Sequence, residues 1–548
     1  MKPLKLFTAF ILSFFLLANT AAAQSFQDVP TDHWAHDEIR FLTDKQVIRG
    51  FSDGSFKPLT VLTRKDAAVM LVRALKLPTI QQPQVKPADL KPTMGGYSEM
   101  MIAANKGFFT VTGNRFNPNQ PLTRDEMAKA LAVAYGYNGK GTSFFKDVAK
   151  GNPYYKFIDG IAENGITTGY SDGTFKPTVA VNRAQFSTFL KRVYDKPHEY
   201  SVKKDGRILK TFTDETAAIS YAVSQAGSTV HPVSNSLMKY EQRPVNLKAT
   251  GIKNGVLIYS GSEKEAFDKD FYAPYLAKGD STFFDTFIVM GRQYPNGEFQ
   301  ETPKNLANYS DWKWFADKLF SPSGPLRPLN EAAVEANRKA KVYIGIPYPK
   351  RNGNLIDLNG KKLPNTLDNR KQMVNWYIST VEQQWKRAGL TNLTLTGYYW
   401  VNETVIHADD ELLVTDTAAA IHKLNKKFIY APHARTTNFG NWKYYGFDGA
   451  YLQPNTFRLN LGDPKAKLHK AFLEAQIKGS SITLEIDTYS PHQIGAGLPN
   501  FETYLEFAKR YDLQGFLLYQ GTEMVYRMGT MKNDAYQKAY EELWDFME

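Results

Sequence analysis

The 548-residue chain contains no cysteine. That excludes a disulfide scaffold, a zinc–cysteine site, an iron–sulfur cluster and a cysteine nucleophile. Past its first two dozen residues, nothing approaches the roughly 20 consecutive apolar residues of a membrane-spanning helix, so the mature chain is expected to be soluble. No His/Asp spacing suggests a metal site. The stretch Ser260-Gly261-Ser262-Glu263 is not the glycine-rich turn of a dinucleotide site, and no cofactor is expected. Charged residues at 22% and hydrophobic residues at 43% fit globular domains rather than disorder.

What is abundant is positive charge and aromatic rings. The formal net charge is +12, and the excess lies mostly in the first third of the chain. A basic region of this kind suits an anionic polymer. Lys2 and Lys5 precede an apolar run, Leu6 to Ala18, and Ala21-Ala22-Ala23 follow. This is the pattern of a secretory signal over residues 1–23, cleaved after Ala23. Export argues against nucleic acid and for a cell-wall polysaccharide. Aromatics at 14% suit stacking on sugar faces as well as a large core.

A repeat is visible near the N-terminus. Arg49-Gly50-Phe51-Ser52-Asp53-Gly54-Ser55-Phe56-Lys57-Pro58 matches Thr168-Gly169-Tyr170-Ser171-Asp172-Gly173-Thr174-Phe175-Lys176-Pro177, with a weaker copy at Thr112–Pro118. Each copy leads into a helix start: Thr63-Arg64-Lys65-Asp66, Thr123-Arg124-Asp125-Glu126 and Asn182-Arg183-Ala184-Gln185. Thr or Asn followed three residues later by Asp, Glu or Gln is a capping box. An Arg in the first turn opposes the helix dipole. Its threefold recurrence implies either an anion facing it or a salt bridge to the neighbouring repeat.

These motifs, with Phe26-Gln27-Asp28-Val29 and His33-Trp34-Ala35, resemble the S-layer homology domain in a set of three. Repeats are expected at residues 24–82, 83–141 (degenerate, without the opening Trp and the Ser-Asp-Gly) and 142–198. The resemblance implies a helical three-fold assembly that binds anionic, often pyruvylated, secondary cell-wall polysaccharide. It implies Arg64, Arg124 and Arg183 in the grooves, with Trp34, Asp53 and Asp172 nearby, and a protein secreted to the cell wall or S-layer of a bacterium.

Residues 199–247 read as a small ββαβ connector, with a hairpin at Lys204-Asp205-Gly206 and a helix capped by Thr213. Residues 248–548 alternate short apolar strands with amphipathic helices. The strands expected are Gly255–Ser260, Thr286–Met290, Lys341–Pro347, Leu393–Trp400, Lys427–Ala431, Gly449–Gln453, Ser481–Ile486 and Gly515–Tyr519. Eight βα units in about 300 residues predict a TIM-like (β/α)8 barrel, with a doubly wound open sheet as the competitor. Asp409-Asp410-Glu411 reads as a solvated helix start.

In such a barrel the chemistry sits at the C-terminal ends of the strands. There the sequence offers Arg292, Tyr398, Trp400, Asn402, Glu403, His433, Arg435, Gln453, Asn455, Glu485, Asp487 and Tyr519. Two carboxyls flanking a glycosidic bond are what glycoside hydrolysis requires. Asn402-Glu403 after the fourth strand, and Glu485 in the seventh, resemble the retaining (β/α)8 glycosidases. That resemblance implies Glu403 as acid/base, Asn402 on the sugar 2-hydroxyl, and Glu485 as nucleophile. Burial beside Tyr and Trp rings and a negative Glu485 are expected to raise the Glu403 pKa, with Glu485 remaining ionised. Asp487 is the substitute nucleophile. As a whole the C-terminal part also resembles an uncharacterised domain family attached to bacterial surface anchors, which implies no activity. The expectation is a wall-anchored protein bearing a retaining glycoside hydrolase with a carbohydrate substrate. The alternative is a non-catalytic glycan-binding or structural surface protein.

Overall fold

The computed structural model describes residues 26–548 except 31–32, 81, 138, 140, 142–144, 171, 198, 235–239, 246, 262–266, 279–280, 296, 300–306, 406–407, 435, 437–438, 444, 457–462, 487–497 and 522. The expected signal segment therefore lies outside the described residues, as do Arg435 and Asp487. The chain divides into two compact units, Met1–Val193 and Tyr194–Glu548.

The first unit pairs two helices per repeat: α1 (His36–Asp44) with α2 (Arg64–Ala74), α3 (Tyr97–Asn105) with α4 (Arg124–Tyr135), and α5 (Tyr155–Glu163) with α6 (Arg183–Tyr194). In repeat one Thr63 Oγ1 accepts from the Asp66 amide at 3.1 Å, and in repeat two Thr123 makes no such cap, the Glu126 amide donating to Asp125 instead. The expected capping box closes reciprocally in repeat three. Asn182 Oδ1 accepts from the Gln185 amide at 2.8 Å, and Gln185 Oε1 from the Asn182 amide at 3.1 Å. Just before α2, α4 and α6 the three repeats meet. The amide of Leu62 donates to the carbonyl of Val181, that of Val181 to Leu122, and that of Leu122 to Leu62, each at 2.8 Å. The loop entering each helix is fixed the same way three times. Asp28 accepts the amides of Phe56 and Lys57, Asp89 those of Phe116 and Asn117, and Asp147 those of Phe175 and Lys176, all at 2.7–2.8 Å. Repeat two, the degenerate copy in sequence, keeps this geometry.

The second unit opens with an antiparallel sheet in the order β2-β1-β3: β1 (Tyr200–Lys204), β2 (Arg207–Phe212) and β3 (Thr229–Pro232). Asp205 and Gly206, at φ 50° and 76°, make the tight hairpin turn between β1 and β2. Helix α7 (Glu215–Ser224) is capped by Asp214, whose carboxylate accepts from the Ala217 amide, rather than by Thr213. The sheet packs on helix α13 (Pro464–Lys478) of the barrel, where Leu473 joins the cluster of Tyr200, Val202, Ile219 and Val230.

The barrel strands are β4 (Asn254–Ser260), β5 (Thr286–Gly291), β6 (Ala340–Ile346), β7 (Leu393–Trp400), β8 (Lys427–Tyr430), β9 (Gly449–Leu452), β10 (Ser481–Glu485) and β11 (Phe516–Tyr519). They pair in parallel in chain order, and β11 returns to β4, so the sheet closes. The open-sheet competitor is thereby excluded. The surrounding helices are α8 (Lys269–Leu276), α9 (Tyr309–Phe320), α10 (Leu326–Glu335), α11 (Leu367–Ala388), α12 (Ala408–Lys423), α13, α14 (Leu498–Arg510), α15 (Met524–Thr530) and α16 (Asp534–Met547).

The strands are buried on both faces, which is why they read as continuous apolar runs. One set of side chains fills the barrel: Leu257, Ile288, Met290, Tyr343, Tyr399, Ile429, Tyr451 and Leu517 among others. The alternate set packs under the helices. Gly397 is needed here, because a Cβ would lie 2.1 Å from the Lys427 carbonyl oxygen and 2.7 Å from the Tyr343 ring. Asp410 corrects the expectation of a solvated helix start. It is buried and paired with Arg370 of α11.

Candidate functional site

The fourth and seventh strands bring two carboxyls to the C-terminal end of the barrel. Glu403 follows β7 and is exposed. Its backbone is tied to the fifth strand's exit: the Glu403 carbonyl accepts from the His433 amide (3.3 Å), the Thr436 hydroxyl (3.2 Å) and the Tyr430 hydroxyl (3.4 Å). Its carboxylate acts through space on Tyr259, Tyr399, Tyr430 and Glu485.

Glu485 ends β10 and is 1% exposed. Its Oε2 accepts from the Asn455 amide at 2.8 Å and from the Tyr504 hydroxyl on α14, and the Thr456 amide adds a further bond to the carboxyl. Asn455 reaches this position in a left-handed conformation, φ 53°, which Asn tolerates. Oε1 has no hydrogen-bond partner among the described residues. Burial pushes the Glu485 carboxyl up to about 8, against the pull of its three donors, and the charge of Glu403 adds to the rise. The expectation from the sequence is an ionised carboxylate at Glu485; burial acts against that form. Its donors are a tyrosine hydroxyl and two amides. Arg292 is exposed and lies beside Tyr259, its amide donating to the Ser260 carbonyl at 2.8 Å.

Tyr519 faces the same end, half-buried and edge-on to Tyr259 at 6.0 Å. His433 and Gln453 bridge the fifth and sixth strand exits, and the Gln453 amide group donates to the Ala431 carbonyl at 2.7 Å. Asn402 is buried, its side chain donating to the Thr404 carbonyl at 2.8 Å. Tyr398 and Trp400 do not line the mouth. They lie on the other face of β7, under the helices, with the Tyr398 hydroxyl on Glu382 and Trp400 edge-on to Tyr348 and Phe428. The inward ring of this strand is Tyr399. Sequence reasoning passed over Tyr259 because it precedes its strand's end. It gave no role to Tyr504, because helical periodicity gives no sign of a bond to a strand residue 19 positions upstream. Among the described residues no three His, Asp or Glu gather as a metal site requires.

In the first unit the three arginines are buried and reach across to the next repeat. Arg64 Nε donates to the Phe116 carbonyl (2.9 Å), Arg124 Nε to Phe175 (2.6 Å), and Arg183 Nε to Phe56 (2.8 Å). Each guanidinium also lies over the ring whose carbonyl it holds. Arg64 is further paired with Glu126. Asp66 acts through space on Arg183. Asp147 and Tyr170 likewise act through space on Arg124, and the helix position of repeat three that corresponds to Glu126 is the neutral Gln185. Asp53 and Asp172 are exposed at their loop tips, accepting from Ser55 and Thr174 and lying beside Lys57 and Lys176. Hydrogen bonding to Ser55 holds the Asp53 carboxyl down at about 2. Trp34 is 50% exposed and stacks on His33.

Comparisons with known proteins agree with this division. Residues 25–68, 88–128 and 144–187 match the S-layer homology domain, and residues 254–545 match a family described as "Domain of unknown function (DUF4855)". An S-layer protein of Bacillus thuringiensis subsp. finitimus is 34% identical over 175 residues, covering 31% of this chain and 21% of that protein. The S-layer protein sap of Bacillus anthracis gives the same identity and coverage. The chain thus spans about a fifth of the length of these curated relatives. Among solved structures, the GH18 chitinase ChiB from the chitin utilization locus of Flavobacterium johnsoniae aligns with a TM-score of 0.31 at 11% identity, over 54% of this chain and 95% of that one. Because residues 254–545, more than half of its length, match the family model, the chain belongs to the DUF4855 family, with three S-layer homology repeats ahead of that domain.

Proposed function

We propose that the protein is a wall-anchored glycoside hydrolase, its repeats holding anionic cell-wall polysaccharide and its barrel cleaving a carbohydrate with Glu403 and Glu485. With three S-layer homology repeats it is a secreted protein of the bacterial cell wall or S-layer. The observation that carries the hydrolase reading is the coupled pair of carboxyls in unlike environments at the C-terminal end of a closed parallel barrel. Glycosidases need one carboxyl protonated and the other charged. The buried Glu485 suits the proton donor, and the exposed Glu403 suits the partner that acts on the anomeric carbon or on water. For the anchor, the three buried arginines mark the grooves, and Arg124, which meets the neutral Gln185 position of the next repeat where Arg64 meets Glu126, is the best placed to take an acidic sugar.

The test is a polysaccharide panel with the whole protein, followed by two variants on whatever substrate is cleaved. If Glu485 is the acid, Glu485→Ala spares substrates with good leaving groups and Glu403→Ala does not. If Glu485 is instead the nucleophile, as the resemblance to retaining enzymes implies, Glu485→Ala is dead and azide restores turnover as a glycosyl azide. The burial of Glu485 also favours a second reading, a barrel that binds glycan without cleaving it. Binding to a polysaccharide that the intact protein never hydrolyses would establish that reading.

A further inference from the structure

We infer that Tyr504, on α14 outside the barrel wall, is a positioning residue that fixes which oxygen of Glu485 reacts. The inference rests on the hydrolase reading and deepens it. Oε2 of Glu485 accepts from the Tyr504 hydroxyl and from the Asn455 amide. A carboxyl oxygen has two lone pairs in its plane, and these two donors occupy them. A proton on this group therefore sits on Oε1. Oε1 is buried and has no partner among the described residues, so an O–H there has no acceptor among them and is the one left for a substrate oxygen. The Tyr504 hydroxyl is also held by the sixth-strand exit, accepting from the Thr456 amide at 3.4 Å. Strand six, strand seven and helix α14 thus converge on one oxygen and leave the other bare.

A hydroxyl that donates to Glu485 favours its charged form. Tyr504→Phe keeps the ring in its packing and removes that donor. The Glu485 titration should then move upward by about one pH unit or more. It can be followed by 13C NMR of protein labelled at the glutamate δ-carbon, with the resonance assigned through Glu485→Gln. No substrate is needed, so the result is independent of whether the barrel hydrolyses glycans. Where a substrate is available, kcat should fall with KM little changed, and the alkaline limb of the pH profile should shift with the titration. A folded Tyr504→Phe protein with the Glu485 midpoint unmoved overturns the inference. If that variant does not fold, 3,5-difluorotyrosine placed at 504 keeps the ring and strengthens the donor. It should move the midpoint down, and an unmoved midpoint again overturns the inference.

Discussion

Arg370 Nη2 donates to Asp410 Oδ1 at 2.7 Å with both side chains sealed from water. The Tyr348 hydroxyl spans both carboxylate oxygens at 3.0 Å, and Arg370 Nε holds the Pro349 carbonyl at 2.8 Å. This pair joins the exit of the third strand to the start of the helix after the fourth.

Removing one partner leaves a buried, uncompensated charge, which costs about 3–5 kcal/mol. Asp410→Ala should therefore lower the denaturant midpoint of the barrel sharply. The double change Arg370→Met with Asp410→Leu should recover most of the loss, since an apolar pair of similar volume is often neutral. Equilibrium unfolding followed by tryptophan fluorescence checks both. A single variant as stable as the parent would show that the pair is not closed in solution.

Two histidines give the second unit an acid sensitivity. His231 on β3 meets Gln476 at 2.8 Å, and His469 on α13 meets the Tyr511 hydroxyl at 2.8 Å. Burial lowers both to about 4. Each is neutral in the folded state while the unfolded chain takes up protons below about 6.5. Stability should therefore fall as the pH drops from 6.5 to 4, by roughly 3 kcal/mol or less per group, and level off below 4. Glu485 acts in the other direction. Its raised pKa makes the folded state hold a proton between 4.5 and about 8, so its contribution declines as the pH rises through that window. Denaturant midpoints measured from pH 4 to 9 should show the acid fall reduced in His231→Phe, and the alkaline decline reduced in Glu485→Gln.

Arg183 should prove inseparable from the fold of the first unit. Arg183→Ala strips donors from the Phe56 and Arg49 carbonyls. Each charge-assisted bond is worth about 1.5–3 kcal/mol. The far-UV melt of the helical unit should drop, and sedimentation with purified cell walls should weaken in parallel. Lost wall binding with an unchanged melt would instead mean that the guanidinium touches the glycan directly.

Limited proteolysis should leave the small sheet attached to the barrel. The chain that follows the sheet is bound to the barrel's lower face: Glu241 N–H donates to Gln476 (3.3 Å), Val245 to Ser480 (3.2 Å), and Gln514 to Pro244 (3.1 Å). Cleavage resistance follows from backbone that cannot enter a protease in extended form. Mass spectrometry of the stable fragment should find residues 199–247 within it. First cuts between residues 241 and 245 would contradict this.

The eight strands were legible because each is a short apolar run bounded by polar turns, and the run survives burial on both faces. That same double burial hid which residues face inward. Along β7, Thr394 and Thr396 alternate with Leu393 and Leu395, but the pairing with β6 skips a residue between Leu395 and Gly397, so the alternation does not carry through to tell Tyr398 and Trp400 from Tyr399. The repeated arginine announced that it needed a partner, but a carbonyl on the next repeat and a sugar acid satisfy it equally well on paper. Asp410 looked solvated because its partner lies 40 residues earlier, beyond any local pattern. Glu485 was visible as a carboxylate in an apolar strand. Its protonation was not, since that depends on how completely the sixth-strand exit and α14 enclose it.

The cycle of amides linking Leu62, Val181 and Leu122 has no first or last member. A stacked solenoid must finish in capping repeats with polar outer faces. A closed cycle has no outer face to finish, and it also has no way to be shortened. Deleting one repeat would leave two strangers where two neighbours had been, each with an amide and a carbonyl set for a missing third. The triplet is therefore the smallest piece of this anchor that satisfies its own backbone.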